Sequence, residues 1–125
     1  MSKKMIWTGR ILSWFLGFFM LTSGLNAMFV RSADMAASFQ TFGIPDDIVF
    51  GIGVSALVSS ILYFIPRTAI LGAILLTGYL GGAVMTHLRV HDPVVFAPIV
   101  AGILLWLGLW LQDERLRAMV PLRRP

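Results

Sequence analysis

The chain has 125 residues, of which 58% are hydrophobic and 13% charged, and it contains no cysteine. A water-soluble domain of this length cannot bury so much apolar surface, so one integral membrane domain over residues 1–125 is expected. Disulfides, thiolate metal sites and thiol redox chemistry by this chain are excluded, and the formal net charge of +4 is read from where the charges fall, not as a nucleic-acid footprint.

Residues 11–30 form the first uncharged apolar run, and others follow at 48–65, 69–86 and 94–111. A hydrocarbon core of about 30 Å takes about 20 helical residues. A chain in lipid must also satisfy its own backbone, so all four runs are predicted as spanning helices. Lys3 and Lys4 would suit a signal peptide. The run behind them is too long, however, and Leu25-Asn26-Ala27 lacks the small residue of a cleavage site, so an uncleaved first span is expected. Next, Met35, Phe39 and Phe42 recur at i, i+4 and i+7, which predicts a short amphipathic helix on the outer surface. Gly43 suits its stop, and Pro45 with Asp46 and Asp47 suits the start of the second span.

The IPRT segment, residues 65–68, makes a tight turn, and Arg67 there is expected as a cytoplasmic positive-inside residue that can also reach the last carbonyls of the second span. The third span carries Gly78 and Gly82 with Thr86 in the same stripe, a small-residue pattern expected to let helices approach closely. Comparable seams are expected at Ser13/Gly17 and Ser23/Ala27, at Gly51/Ser55/Ser59, and at Ala97/Ala101. Short connections make sequential spans antiparallel neighbours, giving an all-α, four-helix bundle. The Gly78/Gly82 pair is equally suited to a homo-oligomer interface.

Basic residues orient the bundle. Lys3, Lys4, Arg10, Arg67, Arg115, Arg117, Arg123 and Arg124 fall on one side, and only Arg31 and Arg89 on the other. Basic residues in short loops stay cytoplasmic, so both termini are expected there, in an inner (plasma) membrane. Trp7, Trp14, Trp106 and Trp110 fall toward the same interface, as an aromatic belt would.

The chemistry-bearing residues gather where the third span ends, at THLRVHDP, residues 86–93. His87 and His91 are four apart with Asp92 adjoining, but no third ligand is evident on the helix, so no metal is assigned. His87 lies at headgroup depth, where an imidazole can bond a quinone carbonyl or relay a proton. Arg89 there can hold a lipid phosphate. Both also serve as plain interfacial anchors. Asn26 is the strongest polar residue within a span and either lines a pocket or bonds a neighbouring helix. The Tyr79 hydroxyl needs a partner. No charge interrupts any span, which argues against a charge-coupled transporter.

The block LYFIPRTAILGAILLTGYLGGAVMTHLRVHDP, residues 62–93, resembles the DoxX-like family of small four-helix membrane proteins. The IPRT turn, the LLTGYLGGA helix and the THxR exit carry the resemblance. It continues more weakly through SGLN (23–26), FGIP (42–45) and the WLGLWLQDERLRAMVPLR tail. The family takes its name from a small subunit of a thiosulfate:quinone oxidoreductase. The resemblance therefore implies membrane redox association, with Arg67, Tyr79, His87 and Arg89 as the carried-over positions. Members often place a basic residue after the SG motif and an acidic one in the second helix, where this chain has Ala27 and Ala56. Losing both is coherent, because one charge left alone in the membrane would be costly. The expectation is thus an accessory or quinone-interacting subunit with no catalytic residue and no covalently bound cofactor. A redox partner subunit would carry the chemistry. The alternative is a structural or lipid-interacting assembly protein, and a third reading, a small-molecule transporter, is disfavoured by the lack of charge within the spans.

Overall fold

The structure, a computed structural model, describes residues 2–30 and 33–122. The side assignments of Arg31, Arg123 and Arg124 fall outside the described residues. The elements in chain order are α1 (Lys3–Leu25), a π-helical turn (Asn26–Val30), α2 (Ala33–Phe42), α3 (Asp46–Phe64), α4 (Ala69–Arg89), a 3-10 turn (Pro93–Val95), α5 (Phe96–Gln112) and α6 (Glu114–Met119). Among the described residues four helices are long and apolar enough to cross a membrane, namely α1 with its π turn, α3, α4, and α5 with its 3-10 turn.

Capping groups set the helix ends more than hydropathy does. The helix α1 begins eight residues before its apolar run, because the Ser2 side chain accepts the Met5 N–H at 3.2 Å. Lys3, Lys4 and Arg10 therefore ride on the helix. At its other end α4 runs on to Arg89 and closes in a Schellman motif: the Asp92 N–H bonds the His87 carbonyl at 2.9 Å and the His91 N–H bonds the Leu88 carbonyl at 3.1 Å. This puts His91 at φ 56°, past the helix end and off the face that His87 occupies.

The long helices form a ring. The helix α1 packs on α3 and α5, and α4 closes the ring against the same two. The tightest approaches are at glycines, but not at the predicted pair. A Cβ on Gly72 would lie 2.3 Å from the Tyr63 backbone nitrogen, and Cβ atoms on Gly24 and Gly53 would each lie 2.8 Å from the other residue's carbonyl oxygen. At Gly78 and Gly82 an added Cβ would meet nothing within 4 Å, so among the described residues they are open space and not a seam. On α3 the inward stripe is Gly53, Ala56, Ser60 and Tyr63, while Gly51 and Ser55 face outward. On α5 Ala97 is likewise exposed, whereas Pro98, Leu105 and Gly108 are buried. Each helix carries several small-residue stripes, and their spacing does not say which one turns inward.

At the end of the bundle that holds the termini, hydrogen bonds tie the helices together. The Tyr63 hydroxyl donates to the Leu105 carbonyl at 2.6 Å and lies 3.0 Å from Ser13 Oγ, which in turn accepts from Gln112 Nε2 at 2.9 Å. One tyrosine thereby ties α3 to both α1 and α5. At the tight turn the expected contact belongs to a different residue. Arg67 is exposed, and it is the Thr68 hydroxyl that donates to the Leu62 carbonyl at 2.8 Å. Threonine reaches back over the turn because its short side chain sits at the start of α4. The last carbonyls of α5 are bonded by Arg117 through Nε to Trp110 at 3.0 Å and Nη2 to Leu111 at 3.3 Å, a cation where the helix dipole favours one.

Candidate functional site

The opposite end of the bundle is hollow. The surface helix α2 covers it without burying any residue of its own. Met35, Phe39 and Phe42 are half-buried on one face, as their spacing predicts. A second Schellman motif ends α2: the Ile44 N–H bonds the Phe39 carbonyl at 2.9 Å and the Gly43 N–H bonds the Gln40 carbonyl at 3.1 Å. Gly43 takes φ 73°, the left-handed geometry that glycine supplies without a Cβ clash. The motif brings Phe39 and Ile44 to the same side, where both line a cavity of about 330 Å³.

The helix α4 supplies the facing wall of that cavity with Tyr79, Gly82, Ala83, Thr86 and His87, and α3 adds Ile52. Positions i, i+3, i+4, i+7 and i+8 make one face of a helix. Gly82 and Ala83, in the middle of that face, have almost no side chain, and the volume they leave is the cavity. His87 stands at its outer rim with its ring 4.6 Å from that of Phe42. Its Nδ1 is 2.7 Å from the Ala83 carbonyl oxygen. A carbonyl only accepts, so Nδ1 carries the hydrogen, and Nε2 of the neutral ring is left as an acceptor. Arg89 Nη2 donates to the Phe42 carbonyl and so fastens the end of α2 to α4. Arg89 is thus engaged by the last turn of α2, where a cation is favoured.

Two further cavities adjoin. One, of about 450 Å³, lies under the first half of α2 and is walled by Ser23, Asn26 and Ala27 on one side and Asp34, Met35 and Ser38 on the other. Another, of about 540 Å³, is a lateral groove between α3 and α4 that includes Ser55, Ser59, Ile74 and Gly78. Tyr79 borders all three. Its hydroxyl forms no hydrogen bond among the described residues.

Of the positions singled out in the sequence, Tyr79, His87, Asn26, Gly78 and Gly82 therefore line three cavities that have Tyr79 in common. Arg89 stands beside them, and Arg67 lies at the other end of α4. Ile44, Ile52 and Thr86 complete the site. No spacing pattern marks Ile44 and Ile52, because their place follows from the α2–α3 turn. Ala27 and Ala56 are both buried, at 3% and 0% exposure, where the close approach of Gly24 and Gly53 brings α1 against α3. Among the described residues no group of three or more His, Asp or Glu side chains is arranged to hold a metal ion.

A family model described as the DoxX-like family matches residues 11–109, a span that contains α2 and every wall of the three cavities. No curated protein and no solved structure matches the chain.

Proposed function

The chain belongs to the DoxX-like family, and from that premise we propose that it is an accessory, quinone-interacting subunit of membrane redox chemistry that makes no chemical step of its own. The observation that carries the reading is the cavity under α2: largely apolar, in the outer part of the bundle, and edged by His87 and Tyr79. With Nδ1 held by Ala83, His87 Nε2 accepts a hydrogen bond from a quinol hydroxyl, and Tyr79 donates to a ring oxygen. The reduced headgroup is therefore the better match to His87. The catalytic cofactor belongs to a partner subunit.

In this reading the protein sits in an inner membrane with both termini in the cytoplasm. Lys3, Lys4, Arg10, Arg67, Arg115 and Arg117 support that orientation, since all fall at the end that carries the termini. The second reading, a lipid-interacting assembly protein, draws support from the open glycines at 78, 81 and 82, which a lipid chain or a second copy would cover.

The test is binding of a tailless benzoquinol and the matching benzoquinone to purified protein in nanodiscs. We expect the quinol to bind more tightly, and His87→Ala to remove that preference. Equal binding of the quinol by the parent and His87→Ala proteins would take His87 out of the site.

A further inference from the structure

The lateral groove and the headgroup cavity share Tyr79 as a lining residue, and both follow one stripe of α4. Ile74, Gly78, Gly82 and Thr86 rise at four-residue steps, with Tyr79 and His87 alongside. From Ile74 to His87 the stripe is about 20 Å long at ~1.5 Å per residue. That is longer than any single-ring headgroup. Along it nothing fills the space over Gly78 or Gly82. Ile74 and Leu75 beside the groove are 54% and 41% exposed, so it opens sideways to the bilayer and not to water.

Resting on the reading of the cavity under α2 as a headgroup site, we propose that this groove holds the ligand's tail. The ligand is then a lipid with one long hydrocarbon chain that enters from the bilayer between α3 and α4, and Gly78 determines its selectivity. A soluble ring without a tail would fill only the outer part of the stripe. Moving a chain from lipid into the groove gains packing and no hydrophobic free energy, because lipid tails are already apolar. The tail preference should therefore be moderate.

The experiment compares a tailless benzoquinol with its decyl-tailed counterpart in nanodiscs, with affinities expressed per mole fraction in the bilayer so that partitioning cancels. The parent protein should bind the decyl form about fivefold more tightly, a difference set by packing contacts alone. Gly78→Leu should abolish that preference while leaving the tailless affinity unchanged. Gly81→Leu, at a position equally open but outside the groove, should leave both affinities unchanged. Equal affinity for the two ligands in the parent, or a preference that survives Gly78→Leu, overturns the tail path and leaves the headgroup reading standing. Failure of both ligands to bind overturns the headgroup reading as well. A change of oligomeric state with Gly78→Leu would make the groove an interface between copies and would also overturn the proposal.

Discussion

Tyr63 and Tyr79 are the two tyrosines of the chain, and they have opposite surroundings. Tyr63 is 3% exposed and its hydroxyl bonds Leu105 and Ser13. The Tyr79 hydroxyl faces no partner among the described residues, and its side chain borders three cavities. The glycines divide in the same way. A Cβ on Gly72 would strike the backbone of Tyr63, whereas a Cβ on Gly78 or Gly82 would meet nothing within 4 Å among the described residues. Tyr63 and Gly72 thus sit where a neighbouring helix is packed over them, and Tyr79, Gly78 and Gly82 sit where space is left. The same residue types serve opposite purposes, depending on whether a neighbouring helix lies over them.

The sharpest way to break this contrast is at the glycines. Gly72→Leu should cost on the order of 3 kcal/mol or more, because the clash is with backbone that cannot step aside. Gly82→Leu should leave stability within about 0.5 kcal/mol and abolish quinol binding by filling the cavity. Unfolding in mixed micelles together with a binding titration reads both, and equal losses of stability would erase the distinction between the two glycines. The tyrosines give the next largest effect. Tyr63→Phe leaves the Leu105 carbonyl without its bond and should destabilise by about 1.5 kcal/mol. Tyr79→Phe should hardly change stability but weaken headgroup binding about tenfold, or ~1.4 kcal/mol. A Tyr79→Phe protein that is as destabilised as Tyr63→Phe would mean that Tyr79 is a packing residue.

Smaller effects are expected at the covering helix. Arg89→Ala removes the bond to the Phe42 carbonyl and should speed amide hydrogen exchange across residues 33–42, with α3 and α4 unchanged. Exchange unaltered in α2 would show that Arg89 does not fasten it. Smallest of all, His91→Gly relieves a left-handed residue at the end of α4 and should stabilise by about 0.5–1 kcal/mol, measured by the same unfolding assay. A loss of stability there would reveal a contact made by the His91 side chain.

Much of the fold was legible because the bilayer imposes simple rules. Length and apolarity found four spans, and the period of Met35, Phe39 and Phe42 found the surface helix with its stop at Gly43. Helix ends were less legible, since Ser2 and the turn at His91 extend α1 and α4 past their apolar runs. His87 and Tyr79 were visible as polar residues where polarity is expensive. Their convergence on one cavity was not, because it depends on how α2 folds back over α4.

What the sequence determined by itself is the set of helices and the face of α2 that turns down, since both follow from periodicity and from the cost of an unpaired backbone in lipid. Only the tertiary structure decided which small residues are contacts and which are cavities. Gly72 and Gly78 are chemically identical and sit on the same helix, six residues apart in the chain. At about 100° per residue they project to different sides of α4. Tyr63 covers the first, and among the described residues nothing lies within 4 Å of where a Cβ on the second would sit.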